Sequence, residues 1–359
     1  MCNTSLHGFL AALPKAEHHM HLEGSLEPEL LFDLAAKNNI TLPVSDDPAF
    51  ASPESLRRRY ETFQNLDDFL GYYYIGMSVL MDASDFEALA YAYFTKAASQ
   101  NVRHAEVFFD PQLHESRGIA LSNIVESFGR ARARAEADFG ITTQLIMCLV
   151  RHLTLSRAME TFTQAKDAGY FVDGTLAAVG MDSSELPFPP PMWKRLYDAA
   201  RESGIRRTIH AGEEGPPRYV TQALDLLDVQ RIDHGIKAIT KGDDALVARL
   251  ASSKTLLTMC PISNVKLNCI PSMSSFPLRR LLDSGIVFSI NSDDPAYFGG
   301  YILENYCALQ ETFELSIGDW ENIAKGVIMG SWCTEERKSQ LLIEIENVVD
   351  EWTKQFEKQ

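Results

Sequence analysis

The feature that most constrains the fold of this chain is the alternation of short apolar runs with longer helical stretches. The apolar runs are rich in β-branched residues, and segments between them, such as Leu121–Phe139 and Met192–Ser203, have the apolar spacing of amphipathic helices. Alternating strands and helices form a parallel sheet, and eight such units predict an α/β fold, a TIM (β/α)8 barrel. The alternative is an open doubly wound sheet, which the absence of a G-x-G-x-x-G phosphate turn disfavours. The eight predicted strands are Lys15–Leu22, Val102–Phe109, Thr142–Val150, Thr175–Asp182, Arg207–Ala211, Arg231–Gly235, Thr255–Cys260 and Val287–Asp293.

Two segments exceed what a minimal barrel needs. Between the first two strands, Asp46–Gln100 has the pattern of several helices, one of them opened by Pro53. In a barrel this helical insertion leaves from the C-terminal rim, so we expect either a lid over the mouth or an appendage that serves only stability. After the last strand, Trp320–Met329 and Glu335–Phe356 are predicted to be extra C-terminal helices. No linker or repeat divides the chain, so residues 1–359 are expected to form one domain.

The charge balance argues against two classes of partner. The chain has 33 Lys and Arg residues against 49 Asp and Glu residues, a net charge of −16. Because such a surface repels phosphate backbones and anionic lipids, we expect neither nucleic acid nor a membrane as a partner. Six scattered cysteines without a C-x-x-C pair, and an N-terminus without a basic region, predict a reduced cytoplasmic protein and leave the nucleus open.

The first predicted strand carries a pair of histidines with metal-binding spacing. Side chains alternate along a strand, so His19 and His21 face one side and His18 faces the other. Two imidazoles on one face can both reach a single metal ion. Taken alone, an H-x-H pair is equally consistent with core histidines that have ordinary hydrogen-bond partners.

Three later strand ends bring further polar groups to the same rim. His210 ends the fifth strand, Glu213 follows it in a turn, and His234 ends the sixth. Asp293 and Asp294 end the eighth strand, where adjacent carboxylates repel each other unless a cation neutralises one. A carboxylate such as Glu213 can transfer protons without binding the metal itself. Because the carboxyl ends of barrel strands meet at one rim, these residues together predict a catalytic zinc site and a metal-dependent hydrolase.

Two other metal chemistries are disfavoured by the sequence. Zinc deaminases of the cytidine type use an H-x-E motif together with P-C-x-x-C, and this chain has no such cysteine pair. A barrel hydrolase with two metals would need a bridging Lys or carboxylate on a middle strand. The fourth predicted strand contains no Lys between Leu176 and Asp182, so we expect a single ion per chain.

With these motifs, the chain resembles the adenosine/adenine deaminase family of metal-dependent hydrolases over nearly its whole length. Within that family it is most similar to the branch that acts on free adenine, and one departure is His18, where the family usually has an apolar residue. The motifs that carry the family resemblance are Pro14–Ser25, His210–Glu213, Asp233–Gly235 and Ser292–Pro295. The segments that resemble the adenine branch are Met181–Glu185, Glu213–Pro217, Arg231–Gly235 and Asp294–Tyr301.

The resemblance implies zinc-dependent hydrolytic deamination of adenine to hypoxanthine and ammonia, a reaction of purine salvage. The residues that it implies as ligands of one Zn²⁺ ion are His19, His21, His210 and Asp293. Glu213 would protonate N1 of the purine, and His234 would take a proton from the attacking water or orient it. Asp294 would contact N7, and Glu185 the far edge of the ring. The partner is then a small purine base.

Three alternatives remain open from the sequence. They are an adenosine deaminase, a deaminase of N6-substituted adenines, and a protein that binds zinc and a purine without catalysis. The reaction centre is the same for base and nucleoside, so selectivity has to arise around N9. The stiff Gly215–Pro217 segment and the bulky Tyr297–Phe298 pair are expected to narrow the mouth against ribose.

Overall fold

The computed structural model describes residues 4–356 and contains eight parallel strands that pair in sequential order. A parallel bridge between Met20 and Asp293 joins the two edges of the sheet, just beyond its first and last strands. The predicted (β/α)8 barrel is therefore confirmed. The strands are β1 (Lys15–Glu17), β2 (Val102–Phe109), β3 (Thr142–Val150), β4 (Ala178–Asp182), β5 (Arg206–Ala211), β6 (Arg231–His234), β7 (Leu256–Met259) and β8 (Phe288–Ile290).

The helices surround this cylinder and cover its upper end. Short 3₁₀ helices span Glu23–Ser25, Pro48–Ala51, Pro190–Trp193 and Met273–Ser275. Within residues 4–356 the α-helices are α1 (His7–Ala12), α2 (Pro28–Lys37), α3 (Pro53–Tyr60), α4 (Leu66–Met77), α5 (Ala83–Ser99), α6 (Pro111–Glu115), α7 (Leu121–Phe139), α8 (Leu155–Asp167), α9 (Lys194–Glu202), α10 (Pro217–Leu226), α11 (Ile236–Thr240), α12 (Asp244–Ser253), α13 (Pro261–Lys266), α14 (Leu278–Asp283), α15 (Pro295–Phe298), α16 (Ile302–Phe313), α17 (Ile317–Gly330) and α18 (Glu335–Phe356).

The first and last strands, which lead to three of the predicted metal ligands, are shorter than predicted. β1 ends at Glu17 rather than Leu22, because the chain beyond it makes only single bridges, from Met20 to Asp293 and from His21 to Phe108. β8 ends at Ile290, since Asp293 has a φ of 64°, which is incompatible with a strand. His19, His21 and Asp293 therefore lie on irregular backbone at the rim, whereas His210 lies within β5.

The segment from residue 46 to residue 100 contains two kinds of helix. α5 packs against α7 and β2, so it is the first helix of the outer ring. α3 and α4 lie nearer the mouth. Side-chain caps define where they begin: Ser52 accepts a hydrogen bond at the start of α3, with Pro53 in the first turn, and Asn65 does the same for α4.

The lower part of the barrel is filled by a buried ion pair. Arg231 lies 2.7 Å from Glu106, and the ring of Trp332 covers the guanidinium at 3.8 Å. Between this pair and the rim, the interior holds Phe108 and its apolar neighbours. Solvent therefore reaches the interior from the carboxyl ends of the strands, where the predicted site lies.

Two further expectations concern cysteines and membranes. No disulfide joins the cysteines within residues 4–356, and Cys2 lies outside the described residues. In the same range, every helix is too short or too polar to cross a membrane.

Candidate active site

A small cavity opens at the carboxyl ends of the strands. The cavity is lined by histidines and carboxylates from the predicted motifs, by two further aspartates and by one face of α4. The lining residues are His21, Leu66, Phe69, Leu70, Tyr73, Asp110, Asp182, Ser183, His210, Glu213, His234, Leu267, Asp293 and Asp294.

The four predicted metal ligands form one cluster. Ligand atoms of His19, His21, His210 and Asp293 all lie within 4.8 Å of one another. Nε2 of His21 is 3.3 Å from Nε2 of His210 and 3.7 Å from Oδ1 of Asp293. Ligands held at about 2.05 Å around a tetrahedral ion lie about 3.3 Å apart, so these separations fit Zn²⁺.

A buried atom in this cluster supports the same conclusion. Nε2 of His19 lies 3.1 Å from Oδ1 of Asp293, yet it makes no hydrogen bond. Burial lowers the pKa of His19 and of His21, which favours the neutral imidazole that binds metals. Burial alone would raise the pKa of Asp293, but the nearby His19 and His234 hold it well below its usual range. The donor set therefore suits a cation.

The outward-facing nitrogens of the ligand imidazoles meet polar partners. Nδ1 of His19 is 2.8 Å from the hydroxyl of Thr258, and Nδ1 of His210 is 3.6 Å from Asp233. Asp233 also accepts hydrogen bonds from the hydroxyls of Thr208 and Thr258. Such partners fix the orientation of the ring and the nitrogen that it offers to a metal.

The backbone at the rim is held in sparsely populated conformations. Asp293 and His234 both have a left-handed φ, 64° and 60°. Two backbone hydrogen bonds of 3.0 Å fix Asp293. Its N–H donates to the carbonyl of His19, and its carbonyl accepts from the N–H of His21. Gly24 is needed because a Cβ there would collide with the carboxylate of Asp294. The first and last motifs therefore hold each other in place.

Glu213 and His234 lie side by side next to the ligand cluster. Nε2 of His234 is 3.6 Å from Oε2 of Glu213, and the amide of Asn264 lies 3.3 Å from Nδ1 of the same ring. Burial raises the pKa of Glu213 well above its usual range, and the neighbouring carboxylates, Asp293 first, add to the effect. A carboxyl group that keeps its proton near neutral pH is available as an acid.

Glu185 holds the loop that carries Glu213. Its buried carboxylate accepts backbone hydrogen bonds from Gly212 at 2.9 Å, from Glu213 at 2.7 Å and from Glu214 at 3.3 Å. A side chain at Gly215 would collide with this carboxylate, so the turn needs a glycine. Glu185 is not among the residues that line the cavity. A direct contact between Glu185 and a purine stays a prediction.

His18 lies apart from the cluster, in the lower part of the barrel. Its Nε2 is 2.7 Å from the hydroxyl of Ser331 and 3.9 Å from Glu106. Burial lowers the pKa of His18 to about 3, so the ring is neutral.

The sequence analysis assigns no role to three residues with metal-ligating side chains at the site, Asp110, Asp182 and Cys260. Asp110 and Asp182 line the cavity, and Cys260 lies with His19, His234 and Asp293 in a second group of metal-ligating atoms within 4.8 Å of one another. Asp110 carried a usable signal, because an Asp-Pro pair follows an apolar strand there just as it does at Asp294. Cys260 ends a predicted strand but had no metal-binding partner in its own motif.

Comparisons with known proteins agree with this geometry. A family model described as adenosine deaminase matches residues 14–348. The chain is 53% identical to an adenine deaminase of Schizosaccharomyces pombe, over 99% of this chain and 96% of that protein. The chain belongs to the adenosine deaminase family. This confirms the family that its motifs predict.

Solved structures of the adenosine deaminase family and its relatives have the same fold. The crystal structure of an adenine deaminase from Arthrobacter aurescens matches with a TM-score of 0.88 and 42% identity, over 95% of this chain and 99% of that one. An amidohydrolase from Burkholderia ambifaria, solved with bound Zn, matches with a TM-score of 0.86 and 28% identity, over 97% and 94% of the two chains. The chain is therefore an aminohydrolase-type enzyme with a cluster that can hold a metal.

The contacts of Glu185 lead to a prediction about this loop. In Glu185→Gln, an amide group replaces a carboxylate oxygen that accepts backbone N–H groups, so the loop that carries Glu213 loses part of its support. We expect the free energy of unfolding to fall by about 1–3 kcal/mol and deaminase activity to fall with it. Denaturant unfolding and initial rates on the folded variant measure the two effects.

Asp85→Asn is the matched control. The buried carboxylate of Asp85 accepts backbone hydrogen bonds from Met81 at 2.9 Å and from Asp82 at 3.0 Å, away from the cavity. We expect a similar loss of stability with unchanged turnover. Equal turnover in Glu185→Gln and Asp85→Asn would contradict a role of Glu185 in holding the loop of Glu213.

Proposed function

We propose that this chain catalyses the hydrolytic deamination of adenine to hypoxanthine and ammonia with one bound Zn²⁺. The observation that carries the proposal is the ligand cluster of three histidines and one aspartate beside the buried carboxyl of Glu213, in one small cavity. The adenine deaminases of Schizosaccharomyces pombe and Gibberella zeae, 53% and 50% identical over nearly their whole length, support adenine as the substrate.

The metal would be held by His19, His21, His210 and Asp293. When bound, Zn²⁺ supplies activation of a water molecule at neutral pH and stabilises negative charge that develops during attack. The four side chains are buried, and the outer partners Thr258 and Asp233 keep two of the rings in orientation. A second possible ligand set contains Cys260 but lacks His21 and His210. We prefer the first set because the Nε2 atoms of these two histidines lie 3.3 Å apart, at the separation of two ligands of one ion.

The protein groups then act on the purine from two sides of C6. The carboxyl of Glu213 hydrogen-bonds N1 and delivers a proton there, which makes C6 more electrophilic. His234, adjacent to Glu213 and 3.9 Å from Asp293, orients the attacking water or takes a proton from it. Asp294 contacts N7 and fixes the plane of the ring. Addition of water at C6 and loss of the amino group as ammonia leave hypoxanthine.

Exclusion of solvent is assigned to the helical segment of residues 46–100, within a single domain of residues 1–359. Leu66, Phe69 and Leu70 of α4 lie on the cavity, so this helix covers the bound base. Side chains link α4 to the loop after β4: the Tyr74 hydroxyl is 2.9 Å from that of Ser183. Further hydrogen bonds join Tyr73 to Asp110 and Asp67 to Ser184, so opening of α4 for substrate entry has to break several polar contacts. A cytoplasmic location also stays a prediction.

The substrate is tested by a parallel assay of adenine, adenosine, adenosine monophosphate and N6-methyladenine. We expect adenine to exceed adenosine in kcat/KM by at least about 10³, or about 4 kcal/mol of differential transition-state binding. The physical reason is that the apolar face of α4 leaves little room for ribose. Similar values for adenine and adenosine would assign the chain to nucleoside chemistry, and preference for N6-methyladenine would assign it to substituted bases. Binding of zinc and purine without turnover would show that the protein is a binding protein and not an enzyme.

The metal assignment is tested by elemental analysis of the purified protein. We expect about one equivalent of zinc per chain, lost together with activity in His210→Ala because the cluster then has a missing nitrogen ligand. His18→Ala is the matched control, since His18 is buried near the same strand but bonds Ser331. Loss of zinc in His18→Ala and its retention in His19→Ala would show that the ligands are assigned incorrectly.

Proton delivery is tested separately with Glu213→Gln. The amide keeps the shape of the side chain but has no acidic proton, so turnover should fall by about 10²–10⁴-fold while zinc and fold are retained. Initial rates, zinc content and circular dichroism measure the three quantities. Near-normal turnover in the folded, zinc-loaded variant would rule out Glu213 as the acid.

A further inference from the structure

A residue with an unpaired carboxylate oxygen lines the cavity just after the end of β2. Asp110 is buried, at 3% exposure, and lines the cavity. Its Oδ2 accepts a hydrogen bond of 3.1 Å from the hydroxyl of Tyr73 on α4, whereas its Oδ1 has no hydrogen-bond partner. Leaving such an acceptor unpaired in a buried site is costly, which points to a ligand with a donor at this position.

Asp182, at the end of β4, belongs to the same wall of the cavity. Neither of its carboxylate oxygens has a hydrogen-bond partner, and its ligand atom lies within 4.8 Å of those of Asp110 and His21. Oδ2 of Asp182 faces Nδ1 of His21 at 3.6 Å, so this residue is placed to orient that ring. The carboxyl group of Asp110 lies beside that of Asp182, and its unpaired Oδ1 is the oxygen that we assign to the ligand.

The orientation of the purine under the proposed function determines which of its atoms face this wall. With C6 at the metal cluster, N1 at Glu213 and N7 at Asp294, the remaining nitrogens of the ring are N3 and N9. Asp110 lines the same cavity as Asp294, and in this orientation of the base we assign it to the five-membered ring. A free purine base has one N–H on that ring, and a nucleoside has none because ribose occupies N9.

We propose that the carboxylate of Asp110 accepts the imidazole N–H of the free purine base and is a specificity-determining residue against N9-substituted purines. This inference rests on the proposed function, because it uses the orientation of adenine given there. Tyr73 holds Oδ2 and so directs Oδ1 toward the base. A ligand without the N–H leaves a buried carboxylate unpaired, and sites built around such a hydrogen bond reject ligands that lack the donor.

The test compares binding of hypoxanthine with that of 9-methylhypoxanthine, measured as competitive inhibition of the zinc-loaded protein. Wild type should bind hypoxanthine more tightly. Asp110→Asn should reduce the ratio of the two inhibition constants by about tenfold to a hundredfold, mainly by weakening hypoxanthine. The steric effect of the methyl group is common to both proteins and cancels in this double comparison.

Glu115→Gln is the matched control, because Glu115 lies on α6, the short helix that follows Asp110, and its carboxylate accepts a hydrogen bond from Thr161 outside the cavity. The ratio of the inhibition constants for hypoxanthine and 9-methylhypoxanthine in this variant should equal the wild-type ratio. An unchanged ratio in Asp110→Asn, or an equal loss for both ligands, overturns the inference. A second equivalent of metal that Asp110→Asn removes would also overturn it, since a cation would then be the partner of Asp110.

Two further measurements keep the outcome decisive. If Asp110→Asn does not fold, the wild-type protein still tests the inference, because equal affinity for hypoxanthine and 9-methylhypoxanthine contradicts it. Turnover of adenine by wild type is measured in the same preparation. Failure to deaminate adenine would contradict the proposed function. Deamination of adenine, with a ratio of inhibition constants that Asp110→Asn leaves unchanged, would contradict only the role of Asp110.

Discussion

The crowding of buried carboxylates at the mouth of the barrel is the constraint on which the rest of the site depends. Like charges at such short distances, away from water, are stable only if each is compensated. The compensation differs from one residue to the next: imidazoles surround Asp293, backbone N–H groups bond Glu185, and threonine hydroxyls bond Asp233. For Glu213, burial and the neighbouring carboxylates, Asp293 first, raise the pKa. Different neighbours therefore give chemically similar side chains different roles.

Closure of the barrel is what brings these groups together. The proposed ligands come from the chain after β1, from β5 and from the chain after β8, so no single segment contains the site. The bridge between Met20 and Asp293 joins the first and last of these segments. It also holds Asp293 at a positive φ, a conformation that a non-glycine residue keeps only when its surroundings fix it. The hydrogen bonds that close the barrel thus stabilise the strained backbone conformation of Asp293.

The sequence predicts the number and order of the strands because the alternation of apolar runs and helices is local information. The ligand candidates follow from the same pattern, since residues at strand ends share one rim. The outer partners do not follow from it: Thr258 bonds His19 across 239 positions, and Glu185 bonds the loop at Gly212 across 27. Such pairs depend on how strands register in three dimensions. Irregular backbone after β1 was missed for the same reason, because its bridges reach distant residues.

Selectivity for a free base has two physical parts in this structure. Tyr297 and Phe298 do not line the cavity; they pack behind α4, with ring centroids 5.3 Å and 4.8 Å from that of Phe69. They therefore narrow the mouth only through α4, whose Gly76 leaves no room for a side chain beside Tyr297. A helix in this position excludes large ligands by steric clash, but if α4 moves to admit adenine it can also move to admit a larger ligand. A buried acceptor such as Asp110 discriminates by chemistry instead, because moving α4 does not supply ribose with the missing N–H.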